Sequence, residues 1–418
     1  MRFAGIDVGS MTHAVAIVDE TCGVLLKPTS FGEDAAGHQR LFGLLGSPTD
    51  LLVVMEATGH YGRNLCGALV ERAFTVSLVN PLRTHRFAQE DLMRAKTDRV
   101  DALGIARFGA QKRPAATTWD SSLDDLRELV RYHQRLVQDL GDRSRQLHRL
   151  VHLGFPEFIR HVRTLDSQRA TAILHAYPTA TAFDESCVGD LAALRCDDRP
   201  RVVGGRLAQQ LVASARVSVG RYHGPAYQDQ VRRVCEDLDA LRDRSNSLAS
   251  NIKRVVSGHP LAVLIASIDG LSPITAARIL VTVGDPARFR SAGALAAYVG
   301  VVPGTKESGL RRSSHAHLSP IGNARLRKAL YMTTLSAVQR NPWLRAFYQG
   351  LRKRGKLPKV ALVAAMRKLL AAVYSVAKNR RPFTCSPDSQ TGEAAGKGFG
   401  ASRGKATDPE RVAITDGG

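Results

Sequence analysis

Three short apolar runs fill the first 31 residues: RFAGIDVG, THAVAIVDE and GVLLKPTSF, each rich in Val, Ile or Leu and separated by turn-forming residues. Runs this brief are strand-length rather than helix-length, and their close spacing reads as an antiparallel meander. A helical pattern, AAGHQRLFGLL, follows. After it come the apolar strand DLLVVMEAT, the helix YGRNLCGALVERA, the strand FTVSLVNP and a closing helix in AKTDRVDALGIARF. A meander followed by alternating helix and strand specifies a mixed α/β sheet covered by helices, over residues 1–115.

Residues 116–258 change character. Leu123, Leu126, Val130, His133, Val137, Leu140, Ser144, Leu147 and Val151 recur at alternating steps of three and four, a heptad seam. Val231, Val234, Leu238, Leu241, Ser245, Leu248, Ile252 and Val255 make a second. The pair predicts an antiparallel coiled-coil hairpin or an arm that meets another subunit; an ordinary helical bundle fits the same spacing. Residues 259–382 read as a further, mainly helical unit. Within it LIASIDGLSPITAARILVTVGD gives helix, tight turn and helix, a helix-hairpin-helix-like element whose turn amides suit a phosphate. A plain helical turn is the other reading. Residues 383–418 turn to Gly, Ser, Ala, Asp and Lys, a composition expected to stay disordered.

Lysine and arginine number 59 against 38 acidic residues, a formal net charge of +21. Such an excess predicts a polyanionic partner, without separating DNA from RNA or anionic lipid. The six cysteines are scattered with no Cys-x-x-Cys pair, which argues against a zinc or disulfide framework and fits a reducing cytoplasm. The apolar stretch VALVAAMRKLLAAVYSVA is split by Arg367 and Lys368 and reads as an amphipathic helix rather than a span. Asp7 stands where a signal peptide would need its apolar core. The expectation is a cytoplasmic protein with no membrane partner.

Four acids occupy the corners of the N-terminal sheet. Asp7 lies in the first strand, Glu56 ends the fourth, and Asp98 and Asp101 open the closing helix, on one face at i, i+3. With strands one and four as neighbours and the helix across their ends, four carboxylates converge. Clustered without counter-charge they repel, and Mg²⁺ or Mn²⁺ is the remedy their oxygen donors suit. Two such ions would clamp the attacking and leaving oxygens of a phosphodiester. Each acid has a plainer reading. Asp98 and Asp101 favour a helix start behind a Thr97 cap, Asp7 fits the phosphate turn of an actin-like ATPase, and Glu56 fits a solvated strand end.

GIDVG, MEATGHYGRNL and KTDRVDALGIARF resemble, in order, the three blocks of the RuvC-like, RNase H-fold domain in the DEDD transposases of insertion-sequence family one-ten, including its eleven-eleven branch. The resemblance carries Asp7, Glu56, Asp98 and Asp101 over as a metal-binding tetrad. Ser10 departs from it, standing where many relatives have lysine. Further on, AAYVGVVP, a Ser-Gly and IGNARLRKAL resemble the family's second signature domain, and its nucleophilic serine falls on Ser308. Ser313 and Ser314 are rivals, and His315 or His317 could serve as bases. Cations near Ser308 (Lys306, Arg311, Arg312), with Lys96, Arg325, Arg327 and Lys328, are the expected nucleic-acid contacts.

The resemblance implies a transposase that excises and inserts its own element through a covalent phosphoserine link to DNA. It also implies a structured noncoding bridge RNA for target choice, and a homo-oligomer, dimer or tetramer, whose sites combine halves of different subunits. The alternatives are a RuvC-type junction resolvase without serine chemistry and a noncatalytic nucleic-acid scaffold.

Overall fold

The computed structural model describes residues 1–57, 59–90, 98–117, 119–196, 202–304, 307–308, 311–312, 317–318 and 322–384, with 90, 98–100, 303–304, 307–308, 311–312 and 317–318 described by backbone alone. The expected tail therefore lies outside the described residues, apart from its first two positions. The chain divides into two compact units, Met1–Asp125 and Leu126–Gly418. The first boundary falls ten residues beyond the one read from composition, and the middle and C-terminal segments belong to one unit.

In the first unit, β1 (Arg2–Val8), β2 (Thr12–Val18) and β3 (Val24–Gly32) form the expected meander. Helix α1 (Ala35–Leu45), β4 (Leu51–Glu56), α2 (Arg63–Glu71), β5 (Thr75–Val79), α3 (Pro81–Glu90) and α4 (Asp98–Lys112) follow. The sheet order is β3-β2-β1-β4-β5. β1–β2 and β2–β3 are antiparallel, while β1–β4 and β4–β5 are parallel. β1 and β4 are central and covered on both faces, which is why they read as near-continuous apolar runs. One face packs Ala4, Ile6, Val53 and Met55 against Leu41, Leu45, Leu65 and Leu69 of α1 and α2. The other packs Phe3, Leu52 and Val54 against Phe87 of α3 and Ile105, Ala106 and Phe108 of α4. Fully burying a side chain the size of Ile105 or Phe108 contributes about 1.5–3 kcal/mol.

The second unit is almost wholly helical: α5 (Asp124–Gly154), α6 (Phe158–His161), α7 (Gln168–Ala176), α8 (Ala180–Asp184), α9 (Val188–Ala193), α10 (Gly205–Arg216) and α11 (Pro225–Ser257). Then come α12 (Pro260–Ala266), α13 (Pro273–Val283), α14 (Ala292–Val299), the short strands β6 (Pro303–Gly304), β7 (Glu307–Ser308), β8 (Arg311–Arg312) and β9 (His317–Leu318), and α15 (Ala324–Arg340), α16 (Pro342–Lys353) and α17 (Pro358–Asn379). The long helices carry both seams and lie antiparallel. Arg143 of α5 pairs with Asp237 of α11 at 3.0 Å, and the Tyr227 hydroxyl donates to the Leu150 carbonyl at 2.6 Å.

The seams are only partly followed. Leu136 is buried where Val137 was expected, Val137 is 46% exposed, and Val256 replaces Val255. Early in α5, His133 meets Arg278 of α13 rather than a seam partner. By length and composition α17 could cross a membrane, contrary to the reading of its sequence. It is nevertheless a core helix, with Leu362, Met366, Leu369, Leu370 and Val373 buried.

Candidate active site

The two acid-bearing strands end side by side. β1 and β4 pair in parallel from Arg2↔Leu51 to Ile6↔Met55, so the next step of the register sets Asp7 beside Glu56. Side chains alternate across a strand. Phe3 and Val54 belong to the α4-facing cluster. Asp7, four residues beyond Phe3, and Glu56, two beyond Val54, therefore lie on that face.

Helix α4 crosses the same face in the reverse direction. A β-carbon at Gly5 would lie 2.2 Å from the Ala106 amide nitrogen and 2.3 Å from the Ala102 carbonyl oxygen. One at Gly109, further along the helix, would lie 2.9 Å from Val54 Cγ2 and 3.5 Å from Phe3 Cδ1. The helix thus runs antiparallel to β1, and its first turn sits where β1 and β4 finish. Only glycine at position 5 allows so close an approach. Asp7, Glu56 and Asp101 are each half-buried. Asp98 is the first residue of α4, with its side chain outside the described set; Lys96 and Thr97 lie outside it altogether.

Two orienting groups were missed by sequence reasoning. The Thr84 hydroxyl of α3 donates to Glu56 Oε1 at 2.5 Å, and the Pro81 carbonyl lies 2.9 Å from Thr84 Oγ1. No helix was expected there, although Asn-Pro after a strand is a start signal; the Asn80 side chain accepts from the Leu82 amide at 2.9 Å. On the opposite face, Glu33 Oε2 meets His13 Nε2 at 2.7 Å and His38 Nε2 at 3.0 Å, and Asn64 of α2 also bonds the carboxylate. The Glu33 amide donates to the Met11 carbonyl at 3.0 Å. Burial works to raise the Glu33 pKa, but the hydrogen bonds from His38 and His13 outweigh it and hold the carboxyl below its usual range. Glu33 therefore ties the turn after Asp7 to the helix that follows Glu56. A histidine at the mouth of an apolar strand was the available signal.

Among the described residues, no group of three or more His, Cys, Asp or Glu side chains is arranged so as to hold a metal ion. The donors at this end of the sheet are carboxylate oxygens, the class that hard divalent cations take.

In the second unit, Ser308 pairs with Arg311 and Glu307 with Arg312 across β7 and β8, while β6 and β9 pair Pro303 with Leu318 and Gly304 with His317. Both ends of this stretch are pinned together. Gly300 caps α14 in the left-handed conformation, and a β-carbon at Gly322, where φ is +111°, would lie 2.7 Å from Gly300 Cα. The Arg327 guanidinium donates to the Val299 carbonyl at 3.3 Å, while Arg325 and Lys328 are exposed. Lys306, Ser313, Ser314 and His315 lie outside the described residues.

The stretch read as helix, tight turn and helix forms α12 and α13. Ser272 caps α13 through the Thr275 amide, and Asn341 Nδ2 donates to the Asp269 carbonyl at 3.1 Å.

Comparison with known proteins falls on the same two regions. The DEDD transposase model of IS110, described as a transposase, matches residues 4–156. The model of the IS116/IS110/IS902 transposase family matches residues 262–349. The mini-circle putative transposase for IS117 from Streptomyces coelicolor is 28% identical over 402 residues, 91% of this chain and 95% of that protein. The pilin gene-inverting protein of Moraxella bovis is 26% identical over 334 residues, 80% of this chain and 82% of that protein. Among solved structures, Thermus thermophilus RuvC aligns with 28% of this chain and 99% of its own, at 18% identity and a TM-score of 0.21. The two family models match in order and together span more than half of its residues, and the chain, similar to the transposases of the IS110 family, is a DNA transposase/recombinase.

Proposed function

We propose that this transposase excises and inserts an insertion-sequence element by joining a RuvC-like, RNase H-type acidic site to a serine nucleophile from the second unit. The convergence of the Asp7 and Glu56 strand ends with the head of α4 carries the reading. Asp7, Glu56, Asp98 and Asp101 are the proposed holders of a divalent cation, Mg²⁺ or Mn²⁺, which when bound would neutralise and align the scissile phosphate. Thr84 orients the Glu56 carboxylate through its hydrogen bond.

Ser308 is the proposed nucleophile. Its Oγ forms a bond to phosphorus as one phosphorus–sugar oxygen bond breaks, and the serine proton ends on the departing sugar oxygen. The number of phosphoester bonds is conserved, so religation needs no outside energy source. The Arg311 backbone opposite Ser308, with Arg312 and Lys306 close in sequence, supports placing cations around the phosphate.

The resemblance to bridge-RNA-guided relatives supports a noncoding guide RNA for target choice. It also supports a dimer or tetramer in which the acids and Ser308 of one site come from different subunits, with the α5–α11 hairpin, read as a coiled coil, as assembly arm. The chain would act on DNA in the bacterial cytoplasm.

The test uses the full-length protein with its element-end DNA and Mg²⁺. Ser308→Ala is expected to abolish the detergent-resistant protein–DNA adduct. Asp7→Asn is expected to lower adduct formation by about a thousandfold, the scale of losing a preorganised electrostatic group. Strand cleavage by Ser308→Ala at the wild-type rate, with no adduct in either protein, would instead identify a junction resolvase.

A further inference from the structure

We infer that a groove between α5 and the start of α15 binds a single-stranded stretch of polynucleotide, with one unpaired base stacked on Tyr132. This rests on the chain being a polynucleotide recombinase and goes beyond it, since neither the acids nor Ser308 lie in the groove. Glu128, Arg131, Tyr132, Arg135 and Gln138, spaced i, i+3, i+4, i+7 and i+10, form one outward face of α5. The opposite face is committed to the core through Leu126, Val130, His133 and Leu136. Arg325 of α15 closes the other side of a cleft of about 450 Å³. That volume lies within the range of small-ligand sites and holds a group the size of one nucleotide.

The lining has the chemistry of a strand-binding channel. Three guanidiniums face one carboxylate, Glu128, so the groove is net cationic. Among the described residues, Arg131 and Arg135 pair with residues of their own helix, Glu128 at 3.5 Å and Asp139 at 3.2 Å, and remain 47% and 71% exposed. Exposed pairs of this kind contribute little, so a phosphate that takes both guanidinium nitrogens displaces them at small cost. Tyr132 is 51% exposed, and among the described residues no aromatic ring stacks on it. A half-exposed ring among arginines is the platform that unpaired bases use. Duplex DNA keeps its base faces inside the stack, so the tyrosine would serve no purpose against it.

Fluorescence anisotropy of the full-length chain with a labelled twelve-nucleotide oligothymidylate, the matching oligouridylate and a duplex of equal length tests this. Tyr132→Ala is expected to weaken single-strand binding by about 5- to 100-fold. Duplex binding should stay within twofold, and Tyr132→Phe should bind as wild type. Arg131→Gln and Arg325→Gln should each flatten the single-strand salt dependence by about 0.7 in log–log slope. Preference for the uridylate assigns the groove to RNA, and preference for the thymidylate assigns it to a melted DNA strand. Single-strand binding within twofold of wild type in Tyr132→Ala, or an equal loss on duplex, overturns the proposal. Adduct formation at Ser308 is read separately, so failure of one reading leaves the other standing.

Discussion

At the residue scale, Gly5 decides whether the first unit has a site at all. Its missing side chain lets the backbone of Ala102 and Ala106 rest on β1, and this contact puts the head of α4 over the ends of β1 and β4. Gly5→Ala should lift the helix and lower stability by about 1–3 kcal/mol, the usual cost of overpacking a tight contact. Adduct formation should fall more than stability does, because Asp98 and Asp101 ride on the displaced helix. Urea denaturation and the adduct assay on the same preparation check both. An unchanged urea midpoint would mean that α4 does not bear on Gly5. Thr84 acts at the same scale, because a hydroxyl donating to Glu56 restricts which way that carboxylate turns.

At the element scale, α5 has two halves with different neighbours. Its later half, with Leu147, Leu150 and Val151, shares a core with α7, α10 and α11. Its earlier half docks on α13, where Arg127 Nε donates to the Val281 carbonyl at 3.3 Å and the Arg278 guanidinium meets His133 Nδ1 at 3.3 Å. Burial, and then the Arg278 charge, push the His133 pKa below its ordinary value. Burial likewise lowers that of Arg278. His133 is therefore held neutral in the fold and takes up a proton more readily when unfolded. Its contribution is complete above about pH 6.5, the unfolded value, and is lost as pH falls toward the depressed folded value. The slope in that window is at most about 1.4 kcal/mol per pH unit. Urea midpoints from pH 5 to 8 should show this slope in wild type and lose it in His133→Asn. A slope that persists in the variant would place the titration elsewhere. The Cys235 thiol, buried in α11 with its pKa pushed up to about 12, is inert over the same range.

At the scale of the whole molecule, the net charge of +21 governs affinity more than specificity. Neutralising six phosphates releases enough counterions to weaken DNA binding about a thousandfold between 50 and 200 mM salt. Anisotropy titration with element-end duplex over that range should give a log–log slope of about −5 or steeper. A slope near −1 would show that most of the charge faces away from the nucleic acid. The cationic surface is distributed along α15 and α16, where Arg325, Lys328, Arg340, Arg345 and Arg352 are exposed while Leu326, Leu330 and Leu344 are buried.

The N-terminal sheet was legible in the chain because its strands carry the shortest-range signals, Val- and Ile-rich runs between turns, and α1 matches its expected limits residue for residue. Asp7, Glu56 and Asp101 were legible as candidates because strand register and helix direction follow from that topology. Register also places Asp7 and Glu56 side by side. Helix α3, with Thr84, and the Glu33 cluster were not legible, because the contacts that matter join residues 20 to 28 positions apart through folded geometry. The seams of α5 and α11 were visible as apolar spacing, yet spacing states only that a face is buried. Which helix buries it depends on side-chain fit across the assembled unit, and that put His133 against Arg278 and left Val137 in solvent. Local patterns thus determined the elements and their order, because propensity and periodicity act over a few residues. Tertiary packing alone decided which faces meet, because that choice is made by long-range shape and charge.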